Sequence, residues 1–271
     1  LFFVEIFYDI INLEWKIERF DMKIIISPAK RFKHFENEKT EGLLFEDETK
    51  QLVENLKKYS INDLANMFFC NDDLAIKAYY DYKDFDFENL KNPAIFSYDG
   101  LVFKQFKKED FNDLAYLNDH VYIISALYGL CKPFTGISDY RLYMDSKGID
   151  MHKFWADKIY KKAFEDENFI INLASAEYAK LIKKYLKKNQ KFLTLTFKEN
   201  RNGKIRSIVS YTKQMRGRML KYLINNKISD IEEIKKIKLC DYIYDPINST
   251  KDEYIFVRGN KWNYYIYQIF I

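Results

Sequence analysis

Only four prolines and eight glycines occur in 271 residues, too few for a collagen-like or linker-dominated chain. Cysteine is scarce as well. Cys70, Cys131 and Cys240 are odd in number, widely spaced and without a C-x-x-C pair, which argues against a disulfide framework and, with no secretory leader in view, suits a cytoplasmic location. The three histidines, His34, His120 and His152, stand at no metal-ligand spacing from a cysteine or a carboxylate pair, so no metal site and no cofactor are expected. No apolar run approaches the roughly 18–20 residues that a membrane-spanning helix needs, so no membrane partner is expected.

What is present is a large apolar and aromatic fraction, 48% and 18% of the residues, enough for a sizeable core. The net charge of +4 is unevenly placed: residues 180–221 carry 14 Lys or Arg against one acid, Glu199, a net +13 that leaves −9 for the rest. Such asymmetry is the footprint of an anionic partner, duplex DNA above all. Lysines that merely solvate helix faces would produce it too. No obligate protein partner is suggested.

Three parts are expected. Residues 1–21 look like an N-terminal extension, since Met22 directly precedes a strand-like Lys23-Ile24-Ile25-Ile26 as a start would. Residues 22–258 read as one domain, because no Gly/Pro/Ser-rich linker divides them. Residues 259–271 look like a C-terminal extension with the aromatic, nearly uncharged composition of an aggregation-prone strand. Strands are predicted at 23–27, 94–97, 121–125, 168–173, 192–198, 204–211 and 254–258. Helices are predicted at 46–58, 61–68 with Ser60 as N-cap, 72–82, 108–119, 150–165, 175–188 and 213–226. Strands alternating with helices, with a hairpin at Asn202-Gly203, give an α/β class: a single domain with a mixed sheet flanked by helices.

Chemistry-bearing residues cluster where strands end. Ser27, followed by Pro28 and Lys30, can cap a helix and favour an anion. Ser125 ends a β-branched run, and the loop behind it, punctuated by Gly129, Pro133 and Gly136, carries Tyr128, Lys132, Tyr140 and Arg141. Ser175 ends a third strand and precedes Glu177, a general base or a capping acid. Lys213, Arg216 and Arg218 open the last predicted helix, and Arg216 suits bidentate phosphate contact. Parallel neighbours would bring the serine-ended exits to one crevice.

Several ordered motifs carry a family resemblance over residues 22–258: ISPAK at 26–30, SALYG at 125–129 with Lys132-Pro133, YRLYM at 140–144, Phe154-Trp155, INLAS-x-EY at 171–178 and Lys213-x-x-Arg216-Gly217. In these the chain resembles the YaaA peroxide-stress protein family. The resemblance implies an oxidative stress response protein acting against hydrogen peroxide, in the cytoplasm, that binds duplex DNA and limits its oxidative damage, with iron homeostasis shifted to lower free iron. It also implies a positively charged cleft and a helix-hairpin-helix element, placed here around Tyr128-Gly129-Leu130. Three residues depart from the pattern: Ala126 replaces a usual Gly, Tyr143 a usual acid and Arg31 a usual Thr.

Two readings compete. In one, Lys30, Lys132, Arg141, Lys213, Arg216 and Arg218 contact DNA phosphates. In the other, Ser27, Ser125, Tyr128 and Glu177 build the pocket of an enzyme acting on a nucleobase or nucleotide; the S-A-x-x-G-L loop followed by Pro and Tyr is similar to uracil-DNA-glycosylase-like architectures. Iron sequestration would need more than the acids at Glu46-Asp47-Glu48 and Asp72-Asp73, which lack ligand spacing.

Overall fold

The computed structural model describes residues 22–35 and 39–259; the two predicted extensions lie outside them, except for Gly259. The strands are β1 (Lys23–Ile26), β2 (Asn92–Pro93), β3 (Val121–Ser125), β4 (Gly129–Cys131), β5 (Gly136–Ile137), β6 (Phe169–Asn172), β7 (Lys191–Arg201), β8 (Lys204–Arg206), β9 (Ile243–Tyr244) and β10 (Glu253–Arg258). The α-helices are α1 (Glu46–Leu56), α2 (Ile61–Phe68), α3 (Asp72–Lys83), α4 (Ala94–Ser97), α5 (Leu114–His120), α6 (Met151–Trp155), α7 (Lys158–Ala163), α8 (Ala176–Lys183), α9 (Val209–Asn225) and α10 (Ile231–Lys236).

One mixed eight-stranded sheet organises the chain in the order β4-β3-β1-β6-β7-β10-β9, with β8 paired to β7. Its centre, β3-β1-β6-β7-β10, is parallel throughout. The runs Ile24-Ile25-Ile26, Val121-Tyr122-Ile123-Ile124 and Phe169-Ile170-Ile171 are buried, as parallel strands covered on both faces must be. From β1 the chain goes to β3 on one side, through a crossover carrying α1 to α5, and later to β6 on the other. The order therefore reverses between β1 and β6, and the crevice outside their carboxyl ends is where open α/β sheets bind ligands.

Local signals behave as the residues dictate. Ser60 and Asp63 form the reciprocal capping box at the start of α2, which satisfies two otherwise unpaired N–H groups. The acids Glu46-Asp47-Glu48 and Asp72-Asp73 fill the first turns of α1 and α3, where the helix dipole favours negative charge. The Asn202-Gly203 turn joins β7 to β8 with Arg201 opposite Lys204, and both turn residues have positive φ, 53° and 79°, as a type I′ hairpin requires.

Tertiary packing overrides propensity elsewhere. The predicted strand 94–97 is the single buried helical turn α4, closed by Ser97 Oγ donating to the Pro93 carbonyl (2.7 Å). The predicted strand 204–211 stops at Arg206 because α9 begins at Val209, whose helix buries Met215, Met219, Leu220, Leu223 and Ile224. Residues 108–119 divide into a 3-10 turn at Lys108–Asp110 and α5, and residues 150–165 into α6 and α7. Ala126-Leu127-Tyr128 turn between antiparallel β3 and β4, and Gly129-Leu130 already belong to β4, so the helix-hairpin-helix placed around Tyr128-Gly129-Leu130 is a β-hairpin there, with Gly129 at φ +70° against the Trp155 ring.

Candidate functional site: a cleft at the strand-order reversal

A cleft of about 480 Å³ opens at the carboxyl ends of β1 and β6, within the size range of small-ligand sites. Five segments wall it: Ser27–Arg31, Asp99–Phe103, Tyr140–Asp145, Leu173–Tyr178, and Lys213 with Arg216 on α9. Ser27 and Ser175 lock two of them together. Ser27 Oγ accepts the Ser175 N–H (2.7 Å) and faces the Ser175 hydroxyl at 3.2 Å. No helix follows β1, so Ser27 caps across the crevice instead of along its own chain.

The predicted site residues separate into those the cleft gathers and those it does not. Ser27, Lys30, Glu177, Lys213 and Arg216 line it. Because α9 starts at Val209, Lys213 and Arg216 sit inside the helix and share one face by their i, i+3 spacing. Arg218 points elsewhere, bonding Gln105 Oε1 (2.9 Å) and Cys240 Sγ (2.9 Å). Ser125 is fully buried: its Oγ accepts the N–H groups of Leu127 and Tyr128 and meets the Tyr140 hydroxyl at 2.8 Å. Tyr128 is buried too, its hydroxyl donating to the Ser138 carbonyl and accepting the Ser138 N–H, both at 3.0 Å. These two residues hold the loop beneath the cleft. Lys132 is half-buried outside it, and its N–H bonds Thr135 Oγ1. Arg141 reaches the rim through Tyr143, donating to the Tyr143 hydroxyl at 2.6 Å.

The cleft is mixed in charge, with Lys30, Arg31, Lys213 and Arg216 facing Asp99, Asp145 and Glu177. Asp99 lies near Arg31 (3.7 Å) and Lys104 (3.4 Å). Among the described residues Arg216 has no such partner: its Nε is buried and makes no hydrogen bond, and desolvation alone presses its pKa downward. A buried donor left without an acceptor is costly. Glu177 is exposed at the mouth, yet desolvation on its inner side and then the Asp145 carboxylate raise its pKa, against the opposing pull of the Met144 N–H, Lys30 and Lys213. On the floor, the Tyr140 hydroxyl bridges Ser125 and Tyr98 (2.8 and 2.9 Å), and burial drives the Tyr140 pKa upward. Lys30 Nζ rests 4.0 Å above the Tyr143 ring.

Chemically, the arrangement offers a desolvated cation for an anion, two lysines to hold it, and a carboxyl group whose proton is retained unusually well. The Asp99–Phe103 wall, Asp145 and Tyr98 carried no local sequence signal, and the link from Tyr140 to Ser125 and Tyr98 was not legible although Ser125 and Tyr140 were. Among the described residues no group of three His, Cys, Asp or Glu side chains could hold a metal ion, and no helix is long and apolar enough to cross a membrane.

The fold and cleft define an α/β protein with a cleft of mixed charge at its strand-order reversal. Comparison with known sequences makes this specific. Residues 22–248 match the family described as peroxide stress protein YaaA, and the chain belongs to that family. It is 39% identical over 246 residues to a UPF0246 protein of Clostridioides difficile, covering 88% of this chain and 100% of that one. A UPF0246 protein of Finegoldia magna is 40% identical over 246 residues, 88% of this chain and 98% of the relative. One of Lachnoclostridium phytofermentans is 34% identical over 251 residues, with 88% and 97% covered.

Proposed function

We propose that this protein serves the peroxide stress response by binding duplex DNA and limiting its oxidative damage, in a response that also lowers free intracellular iron. The observation that carries the binding step is Arg216, a half-buried arginine lining the cleft with Lys213 and Lys30, whose buried Nε has no hydrogen-bond partner among the described residues. Two oxygens of a phosphate in the cleft would give the Arg216 guanidinium a bidentate, charge-assisted partner. The cleft admits one phosphodiester or one extruded nucleotide, not a whole duplex, so it anchors the backbone without reading sequence.

Titrating a random duplex at several salt concentrations tests this. Affinity should fall linearly on a log–log plot, and Arg216→Gln should lower the slope by about 0.9, the value for one phosphate. Binding that is absent or indifferent to salt would end the proposal.

A second reading is favoured by Glu177, whose raised pKa in a small-ligand-sized cleft suits a general acid. Here the protein acts on a nucleobase or nucleotide, with Lys30 and Arg216 holding phosphate. Incubation with damaged duplexes and with nucleotides, followed by chromatography for released base, separates the readings: release that Glu177→Gln abolishes supports the enzyme.

A further inference from the structure

The hairpin β7–β8 stands apart from the cleft but rises from the same edge of the sheet. Strands β1, β6 and β7 are parallel, so their carboxyl ends face one way. The last residue of β6, Asn172, pairs with Thr194, and β7 continues to Arg201. Seven further residues at about 3.3 Å each carry it roughly 23 Å past the cleft edge. From its tip the chain returns through β8 and enters α9, the helix that bears Lys213 and Arg216.

Register fixes what this ribbon presents. Arg201 lies opposite Lys204 and Glu199 opposite Arg206, and directly opposed residues share a face, as do residues two apart. Glu199, Arg201, Lys204 and Arg206 therefore occupy one side. Glu199 is committed to Arg258 (3.1 Å) and to the Tyr242 hydroxyl. Arg201, Lys204 and Arg206 are exposed, and among the described residues no carboxylate pairs with them. Like charges directly across a ladder are destabilising. Arg201 and Lys204 nevertheless face each other beside a hollow of about 570 Å³ that all three cations line. An anion spanning them would turn that repulsion into attraction.

We infer that the β7–β8 ribbon is a second contact surface for the phosphate backbone of duplex nucleic acid, holding the duplex along the sheet edge while the cleft takes one of its phosphates. This rests on the DNA-binding reading and adds a partner surface to it. The match is one of charge and continuity: two cationic sites on one edge, joined by a single helix.

The test compares duplex binding by the unmodified chain, the triple variant R201Q/K204Q/R206Q and Arg216→Gln across a salt series. The triple variant should lower the slope of log affinity against log salt by roughly 2 to 3 units, about 0.9 per phosphate lost. It should melt no lower than the unmodified chain and keep the part of the thermal response to inorganic phosphate that Arg216→Gln removes, which report the fold and the cleft. A triple variant with an unchanged slope, beside an Arg216→Gln variant whose slope falls, would overturn the ribbon and leave the cleft reading intact. No duplex binding by the unmodified chain would overturn both. Stronger binding of the ribbon to phosphatidylglycerol vesicles than to duplex would also overturn it.

Discussion

Replacing Arg216 with Met should make the ligand-free protein more stable, not less. Arg216 Nε is buried and unpaired, and a buried donor without an acceptor costs about 1–3 kcal/mol, more when charged. Methionine keeps much of the volume and removes the unbonded donor, so a gain of about 2 kcal/mol, the middle of that range, is expected. For a domain of this size 1 kcal/mol corresponds to about 2–4 °C, which places the rise near 4–8 °C. Anion binding should then separate the two proteins. At a phosphate concentration of about 100 Kd the unmodified chain gains about 2.7 kcal/mol, and Arg216→Met gains almost nothing, so their order of stability reverses. Differential scanning fluorimetry with and without phosphate reads both effects. If Arg216→Met melts below the unmodified chain in anion-free buffer, Arg216 is an ordinary structural cation and the cleft argument fails.

Glu177 gives a pH signature. Its folded pKa is raised by desolvation and Asp145, so the folded chain holds this proton more tightly than the unfolded one. The contribution to stability is then greatest below the ordinary carboxylate value of about 4.3 and is lost as pH rises through the folded pKa. Glu177→Gln should remove that loss and be the more stable form at neutral pH; melting curves that stay parallel from acid to neutral pH would contradict this. Gly217 packs so closely that a Cβ would lie 2.1 Å from the Val102 carbonyl oxygen. Overpacking of about 1–3 kcal/mol, less about 1 kcal/mol of helix propensity, predicts a net loss of up to about 2 kcal/mol for Gly217→Ala by urea titration, with weaker phosphate binding because Val102 walls the cleft. Tyr140→Phe strands the Ser125 and Tyr98 hydroxyls and should cost about 1–3 kcal/mol while far-UV circular dichroism is unchanged.

The parallel centre of the sheet was legible because β1, β3, β6 and β10 are short runs of β-branched and aromatic residues buried on both faces, a pattern few other elements produce. Ala94–Ser97 has the same apolar look, and only its enclosure by the surrounding loops makes it a helical turn. Val209 belongs to a helix because the apolar face from Met215 to Ile224 needs its first turns, which β-propensity cannot convey. In the site, Ser27, Ser175 and Glu177 were visible as strand exits. Lys213 and Arg216 were visible as cations in a motif, although the helix around them starts earlier than their charge suggested. Ser125 shares the strand-exit signature, yet its hydroxyl turns inward to the backbone and to Tyr140; the pattern marks the exit but not the side chain's direction. Asp99 and Asp145 reach the cleft from long connections, whose course is set by packing rather than by local spacing.

Tyr143 stands where the family resemblance places an acid, and it receives Arg141 on its hydroxyl and Lys30 on its ring. A carboxylate there would bind both cations and cancel them, and an incoming anion would have to compete with it. A phenol parks the same two cations without spending their charge. The rim of this cleft is thus a clasp whose two cationic arms rest on an uncharged phenol, so an anion bound as proposed would meet them without first breaking an ion pair.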